Sequence, residues 1–238
     1  MESEANSRNE PRPKAWLAWS SGKDSAWALH TVRQAGDFEI VALLTTVNST
    51  YGRVAMHAVR ESLVEMQANA VGLPLVTVPI PWPCPNALYE RAMDQAMARA
   101  RAEDVKHVVF GDLFLEDIRA YREKQLAACG MTPVFPVWGK DTKRLAEEMI
   151  FGGLSAYLTC VDPSKLERSF AGRRFDAELL VSLPPGVDPC GENGEFHTFA
   201  NDGPMFRERI PVAVGDVVER DSFVFADLIS SAARTGRA

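Results

Sequence analysis

A short apolar run, Ala15–Trp19, passes without a linker into Ser20-Ser21-Gly22-Lys23-Asp24-Ser25, and then into a stretch carrying Trp27, Leu29 and Val32. A run of that length and character reads as a strand buried on both faces. Such a strand needs helices above and below it, which confines the chain to folds with a covered parallel sheet. The junction also gathers unpaired backbone N–H groups and the positive end of a helix dipole at one point. Small residues let an anion approach the backbone, and the serine hydroxyls add donors. Ser20, Ser21, Gly22 and Ser25 are thus candidate phosphate ligands, with Lys23 supplying charge. Asp24 repels phosphate, so its presence implies an Mg²⁺ ion between them. The loop is not a Walker A motif, because Leu17 stands where the first glycine belongs and Asp24 follows the lysine. A capped helix start is the competing reading of the same residues.

The alternation of strand and helix continues. Phe38–Val47, Leu75–Ile80, Val105–Phe110, Val134–Val137 and Ala156–Val161 read as strands. Helices lie between them: one runs up to the stop at Gly36, and one carries Met56, Val59, Leu63, Met66 and Ala70 up to Gly72. A third opens with Asn86 as its cap, one ends before Gly130, and one spans Thr142–Phe151. The Pro-rich segment Pro79–Pro85 reads as an extended crossing. The pattern predicts an α/β fold, a Rossmann-like doubly wound parallel sheet. After Asp162 loops lengthen and Gly, Pro, Asp and Glu dominate Pro184–Pro204; with a composition shift near Phe135–Lys140, this predicts a smaller C-terminal α+β domain. The expected boundaries are a disordered tail at 1–13, a nucleotide-binding domain at 14–135, a substrate-binding domain at 136–230, and a tail at 231–238.

Charge and cysteine usage exclude several functions. Acidic residues outnumber basic ones by 32 to 26, for a net charge of −6, which weighs against a protein built to grip nucleic acid. No apolar run approaches ~18 residues, so no membrane span is expected. The N-terminal residues lack the apolar stretch of a secretory signal. Cys84, Cys129, Cys160 and Cys190 form no C-x-x-C pair, so free thiols and a cytoplasmic setting are expected, with no transition-metal site.

Beyond the first loop, Thr45 and Thr46 end a strand, which β propensity alone explains. Asp112, at the end of the Val105–Phe110 strand, is a candidate metal or ribose contact or a helix cap. Glu192, Glu195 and His197 sit in the Gly-rich segment Gly191–Thr198. Two carboxylates and an imidazole suit proton transfer or recognition of a cationic group. Trp82, Trp138 and Phe196 are either core residues or faces for a cation. Arg122, Lys140, Arg173 and Arg174 are further candidates; Arg173 and Arg174 could clamp a carboxylate or phosphate, or form a solvated charge pair. His30, His57 and His107 receive no role.

Ser20–Ser25 resembles the SGGKDS loop of the PP-loop ATP pyrophosphatases, with Ser21 in place of a glycine. Further along come Gly111-Asp112-Leu113-Phe114-Leu115-Glu116-Asp117, Tyr121-Arg122, Pro136-Val137-Trp138, Ala171-Gly172-Arg173, Cys190–Thr198 and Asp202–Phe206. In this order they resemble the diphthine–ammonia ligase family, from about Ala15 to Leu228. That resemblance implies an ATP-dependent, amide-forming ligase that yields AMP and pyrophosphate through an acyl-adenylate. ATP and Mg²⁺ would be its cofactors. Ammonia and a carboxylate would be its substrates, the latter carried on a protein such as elongation factor 2 in eukaryotes or archaea. It assigns catalysis to Lys23, Asp24, Glu192, Glu195 and His197, with Asp24 on the metal. Nucleotide contacts fall to Ser20, Ser21, Gly22, Lys23, Ser25, Thr45, Thr46 and Asp112. Substrate contacts fall to Arg122, Arg173, Gly191, Gly194 and Thr198. A homodimer is the assembly this reading allows. A PP-loop enzyme modifying a tRNA base and a non-catalytic ATP-binding module remain as alternatives.

Overall fold

The structure, a computed structural model, describes residues 11–54 and 59–231. The expected tails therefore lie outside it, except for 11–13 and Ser231, and so do Met56 and His57. Pro13 already belongs to the fold, since its carbonyl accepts from Glu39 N–H at 3.0 Å.

The first half alternates β1 (Lys14–Ala18), α1 (Lys23–Ala35), β2 (Glu39–Asn48), the two-residue β3 (Arg53–Val54), α2 (Glu61–Val71), β4 (Leu75–Ile80), α3 (Asn86–Ala102), β5 (His107–Val109), α4 (Glu116–Ala128) and β6 (Thr132–Val134). β2 pairs in parallel with β1 through Glu39–Leu44 and with β4 through Leu43–Asn48. β1 also pairs in parallel with β5, and β5 with β6. The parallel order is therefore β4-β2-β1-β5-β6, with β3 folded back antiparallel on the tip of β2. The chain winds from β1 outward to β2 and β4 on one side, then crosses to β5 and β6 on the other. That split opens a crevice beyond the carboxyl ends of β1 and β5, where ligands bind in doubly wound sheets.

Side-chain alternation along β1 explains the two layers of helix. Ala15 and Leu17 point into one core with α1 and α2; Trp16 points into the other with Met97 and Ala100 of α3 and Leu126 of α4. All three β1 residues are fully buried.

The second half carries α5 (Thr142–Phe151), β7 (Ser155–Val161), a 3₁₀ turn at Arg168–Phe170, α6 (Ala177–Ser182), β8 (Phe196–Asp202), β9 (Val212–Arg220) and β10 (Phe223–Ser230). Its four strands form one antiparallel sheet, β8-β7-β10-β9. The core under α1 runs on without a break into this sheet, joining Leu29 to Met149, Phe199 and Val224.

Two local expectations change. The strand expected at Val134–Val137 lies at Thr132–Val134, where its register is set by pairing with His107–Val109; Phe135–Trp138 is a turn closed by Trp138 N–H on Phe135 O. Asn86 does not cap α3. It is the first helical residue, Pro85 takes the cap position, and no side chain caps that end.

Asp227 on β10 ties the second sheet to the β3 segment. Its Oδ1 accepts from Arg53 Nη1 at 3.0 Å and Arg60 Nε at 3.2 Å, and Oδ2 accepts from Arg60 Nη2. Burial raises the pKa of Asp227, and the two guanidiniums outweigh it, so the net shift is downward. A carboxyl lowered on folding stabilises above its unfolded pKa, and that gain is lost as pH falls through the folded one. Asp227→Asn is expected to cost about 1 kcal/mol at neutral pH. The difference from wild type should shrink at an acid pH below the lowered folded-state pKa, where the Asp227 carboxyl is neutral like the amide. Urea unfolding at the two pH values checks this, and an equal loss at both would remove the charge from the explanation.

Candidate active site

The junction after β1 is held by the second sheet. Trp19 N–H closes β1 on Leu44 O at 2.7 Å. The next residues lie along β8: Ser21 O accepts from Ala200 N–H at 2.9 Å, and Lys23 N–H donates to Thr198 Oγ1 at 3.0 Å. A side chain at Gly22 would start 3.2 Å from Thr198 O. Ser25 Oγ donates to Gly22 O at 3.0 Å and lies 3.2 Å from Ser20 Oγ. Ser21 has φ 70 and is completely buried, with no partner for its hydroxyl among the described residues. The left-handed turn expected of a glycine is thus made by a serine, at a cost of roughly 1–2 kcal/mol.

On the other side, the loop after β5 packs against the same turn. A methyl group at Gly111 would stand 2.7 Å from Asp24 C and 2.8 Å from Ser25 N. Glycine at 111 is what lets the two strand ends meet over the first turn of α1.

Lys23 points inward. It is 1% exposed, and its ammonium donates to Asp24 Oδ2 at 3.0 Å and to Cys190 O. It sits over the rings of Phe196 at 5.2 Å and Phe175 at 5.6 Å. Burial works against the charge, but Asp24 and more distant anions prevail, so the lysine pKa is raised and the ammonium persists. Phe196 is accordingly a buried face beneath a cation.

A cavity of about 940 Å³ opens from this loop, within the size range of small-molecule sites. Ser20, Lys23, Asp24, Ser25, Thr45, Thr46, Asp112, Arg122, Gly191, Glu192, His197 and Thr198 all line it. The sequence places these residues up to 178 positions apart (198 − 20), and the crevice brings them together. Thr45 Oγ1 and Asp24 Oδ1 are buried without a partner among the described residues. No group of three or more His, Cys, Asp or Glu among the described residues could hold a metal unaided. Asp24 Oδ1 nevertheless fits Mg²⁺, an ion that takes one or two carboxylates and completes its shell with phosphate oxygens and water.

Glu192 accepts from Leu113 N–H at 2.8 Å. Burial raises its pKa, with Asp24 adding to the effect, to about 7. His197 moves the other way: burial, helped by Lys23, lowers it to about 4, so the imidazole is neutral at physiological pH. Asp112 and Arg122 form a two-point ion pair, Nε to Oδ2 at 2.5 Å and Nη2 to Oδ1 at 3.1 Å. The guanidinium lies 4.3 Å from the centre of the Phe110 ring.

Several candidates lie elsewhere. Glu195 is 3% exposed and turns away from the cavity; its Oε1 braces Asp188 N–H at 3.0 Å and Asn193 Nδ2 at 3.2 Å. Gly194 lies beside Lys165. Arg173 stacks on Phe170 at 4.6 Å, and Arg174 Nη2 donates to Ser155 Oγ at 3.3 Å. Lys140 bonds Glu148 at 3.2 Å. Trp138 packs on Phe135 and Arg119, whereas Trp82 is 58% exposed at the cavity. Sequence reasoning missed Gln67, which bonds the turn after β1, and Tyr89 and Phe223, which line the cavity. Gln67 carried a signal: it is a polar residue among Leu63, Val64 and Ala70 on an otherwise apolar helix face.

Comparison with known proteins agrees with this architecture. Residues 13–133 match the family described as diphthamide synthase N-terminal domain, and residues 141–227 match diphthamide synthase C-terminal domain. A Bos taurus protein is 26% identical over 233 residues, covering 87% of this chain and 85% of its own length. One from Danio rerio is 29% identical over 235 residues, covering 87% and 89%. One from Homo sapiens is 25% identical over 229 residues, covering 87% and 85%. All three carry the name diphthine–ammonia ligase.

Two substitutions test the loop geometry. Ser21→Gly relieves the left-handed turn and removes a buried, unpaired hydroxyl, offset by the greater backbone entropy of glycine. A net gain of about 1 kcal/mol is expected in chemical denaturation. Gly111→Ala should cost about 1–3 kcal/mol and weaken nucleotide binding at least tenfold in a calorimetric titration. Wild-type affinity in that variant would mean that the two strand ends do not shape the site.

Proposed function

The chain belongs to the diphthamide synthase family and is an ATP-dependent ligase, and from that premise we propose that it joins ammonia to a carboxylate by splitting ATP into AMP and pyrophosphate. The observation that carries this reading is the convergence in one cavity of the phosphate-binding turn, Lys23 and a glutamate poised near neutral pH.

The proposed contacts begin with the triphosphate. Its β and γ groups lie over the turn, against the hydroxyls of Ser20 and Ser25 and the first amides of α1, with the helix dipole and the Lys23 ammonium behind them. Lys23 acts as fixed buried charge, since its own bonds go to Asp24 and Cys190. Adenine pairs with the free edge of β2 at Thr45 and Thr46, beyond the point where β1 ends on Leu44. Asp24 would hold Mg²⁺ through Oδ1, and the ion would neutralise charge on the phosphates.

A carboxylate is a poor electrophile. In the proposed first half-reaction its oxygen attacks the α-phosphorus, the α–β bridge breaks, and pyrophosphate leaves. Ammonia then forms a bond to the acyl carbon, the carbon–oxygen bond to AMP breaks, and a proton passes from nitrogen to the Glu192 carboxylate. With its pKa near 7, Glu192 is basic enough to take that proton and acidic enough to release it afterwards. His197, neutral throughout, orients groups by hydrogen bonding. Arg122 is the proposed anchor for the substrate carboxylate, sharing its charge with Asp112. The proposed acceptor is diphthine, the one in the relatives' names, carried on a protein such as elongation factor 2.

Product analysis tests the reaction class: AMP and pyrophosphate are expected, and ADP with phosphate would overturn it. Asp24→Asn should lower Mg²⁺-dependent turnover at least tenfold. At fixed free ammonia, amide formation should rise with pH through about 7, because Glu192 must be deprotonated to act. Glu192→Gln should lose about 10²–10⁴ in rate and flatten that profile. An unchanged profile in the variant would assign the base elsewhere.

A further inference from the structure

We infer that Gln67 is a positioning residue, which sets the phosphate-binding turn against the strand that carries His197 and Thr198. The inference rests on the proposed nucleotide site and adds a residue outside it, on α2.

Gln67 is fully buried, and both ends of its amide are in use. Its Oε1 accepts from Trp19 Nε1 at 2.8 Å, and its Nε2 donates to Ser21 O at 3.0 Å and to Ala200 O at 2.6 Å. One side chain thus joins the end of β1, the left-handed residue of the turn, and β8. The only direct backbone bond recorded between Ser21 and Ala200 is Ala200 N–H to Ser21 O. Ala200 is in register with Ala156 of β7, and on the turn side its carbonyl takes the Gln67 amide rather than a strand N–H. Gln67 supplies that donor and doubles the hold on Ser21 O.

Geometry makes this matter for chemistry. Thr198 lies two residues before Ala200 on β8 and binds Lys23 N–H; His197 lies three before it and lines the cavity. A shift of β8 relative to the turn moves these groups against the nucleotide phosphates. Misplacement of reacting groups by about 1 Å can cost on the order of 10²-fold in rate. Ground-state binding is spread over many contacts and is less sensitive.

The test uses Gln67→Met, which keeps the length and removes all three bonds, beside Val64→Ala, which opens a cavity on the same helix without touching the turn. Rates are taken per folded molecule and ATP dissociation constants by calorimetry. Gln67→Met should lower kcat for nucleotide cleavage about 10- to 100-fold with the ATP dissociation constant within threefold. Val64→Ala should lose comparable stability with kcat within twofold. Amide exchange gives a second reading that needs no turnover: an ATP analogue should protect Thr198–Ala200 in the wild type and not in Gln67→Met. If Gln67→Met keeps the wild-type kcat, or loses no more than Val64→Ala does, or keeps the protection, Gln67 is a packing residue and the inference fails alone. If the wild type binds no ATP, the proposed function fails and takes this inference with it.

Discussion

Everything at this site depends on a buried ammonium. Lys23 extends from the first turn of α1 into a space walled by Phe175 and Phe196, where an unpaired charge would cost several kcal/mol. It is tolerated because Asp24 and Cys190 O receive it and two aromatic faces lie beneath it. Cys190, Phe175 and Phe196 all belong to the second half of the chain. The shape of the turn after β1 therefore depends on the second half of the chain. The two halves meet through this charge, through β8 on the turn, and through the apolar core they share.

The same contact sorts the ionisable groups by role. Burial pushes Glu192 up and His197 down, and the fixed charge of Lys23 opposes the first shift and reinforces the second. Two residues five positions apart thus titrate on opposite sides of their ordinary values. A carboxyl near 7 and an imidazole near 4 therefore lie at one cavity with their protonation preferences pushed apart. Asp112 and Arg122 neutralise one another close to Glu192, which leaves the guanidinium at the cavity compensated.

The parallel half of the fold was legible because its signals are local. Apolar runs such as Ala15–Trp19, and helices that end where Gly36 and Gly72 stand, mark their own limits. The span Thr142–Phe151 was read to the residue. The antiparallel sheet was less legible. β9 and β10 carry polar residues on an open face and have no long apolar run, and their hairpin turns at Asp221-Ser222, two non-glycine residues with positive φ. β8 is buried for nearly all its length yet follows a segment of Gly, Asp and Glu that reads as loop. At the site, residue types pointed to Asp24, Glu192 and His197. Glu195 has the same chemistry as Glu192, but a loop imposes no period, so nothing in the spacing shows that one faces the cavity and the other braces Asp188.

By itself the amino-acid order determined the strand-turn-helix unit, the doubly wound class and the residues able to handle phosphate, because period, helix stops and side-chain chemistry act over a few positions. Only the tertiary structure decided that Lys23 turns inward, that Ser21 adopts a glycine-like turn, and that Gln67 binds it to Ala200. Those outcomes are set by partners more than 40 residues away, where burial and hydrogen-bond satisfaction outweigh local preference.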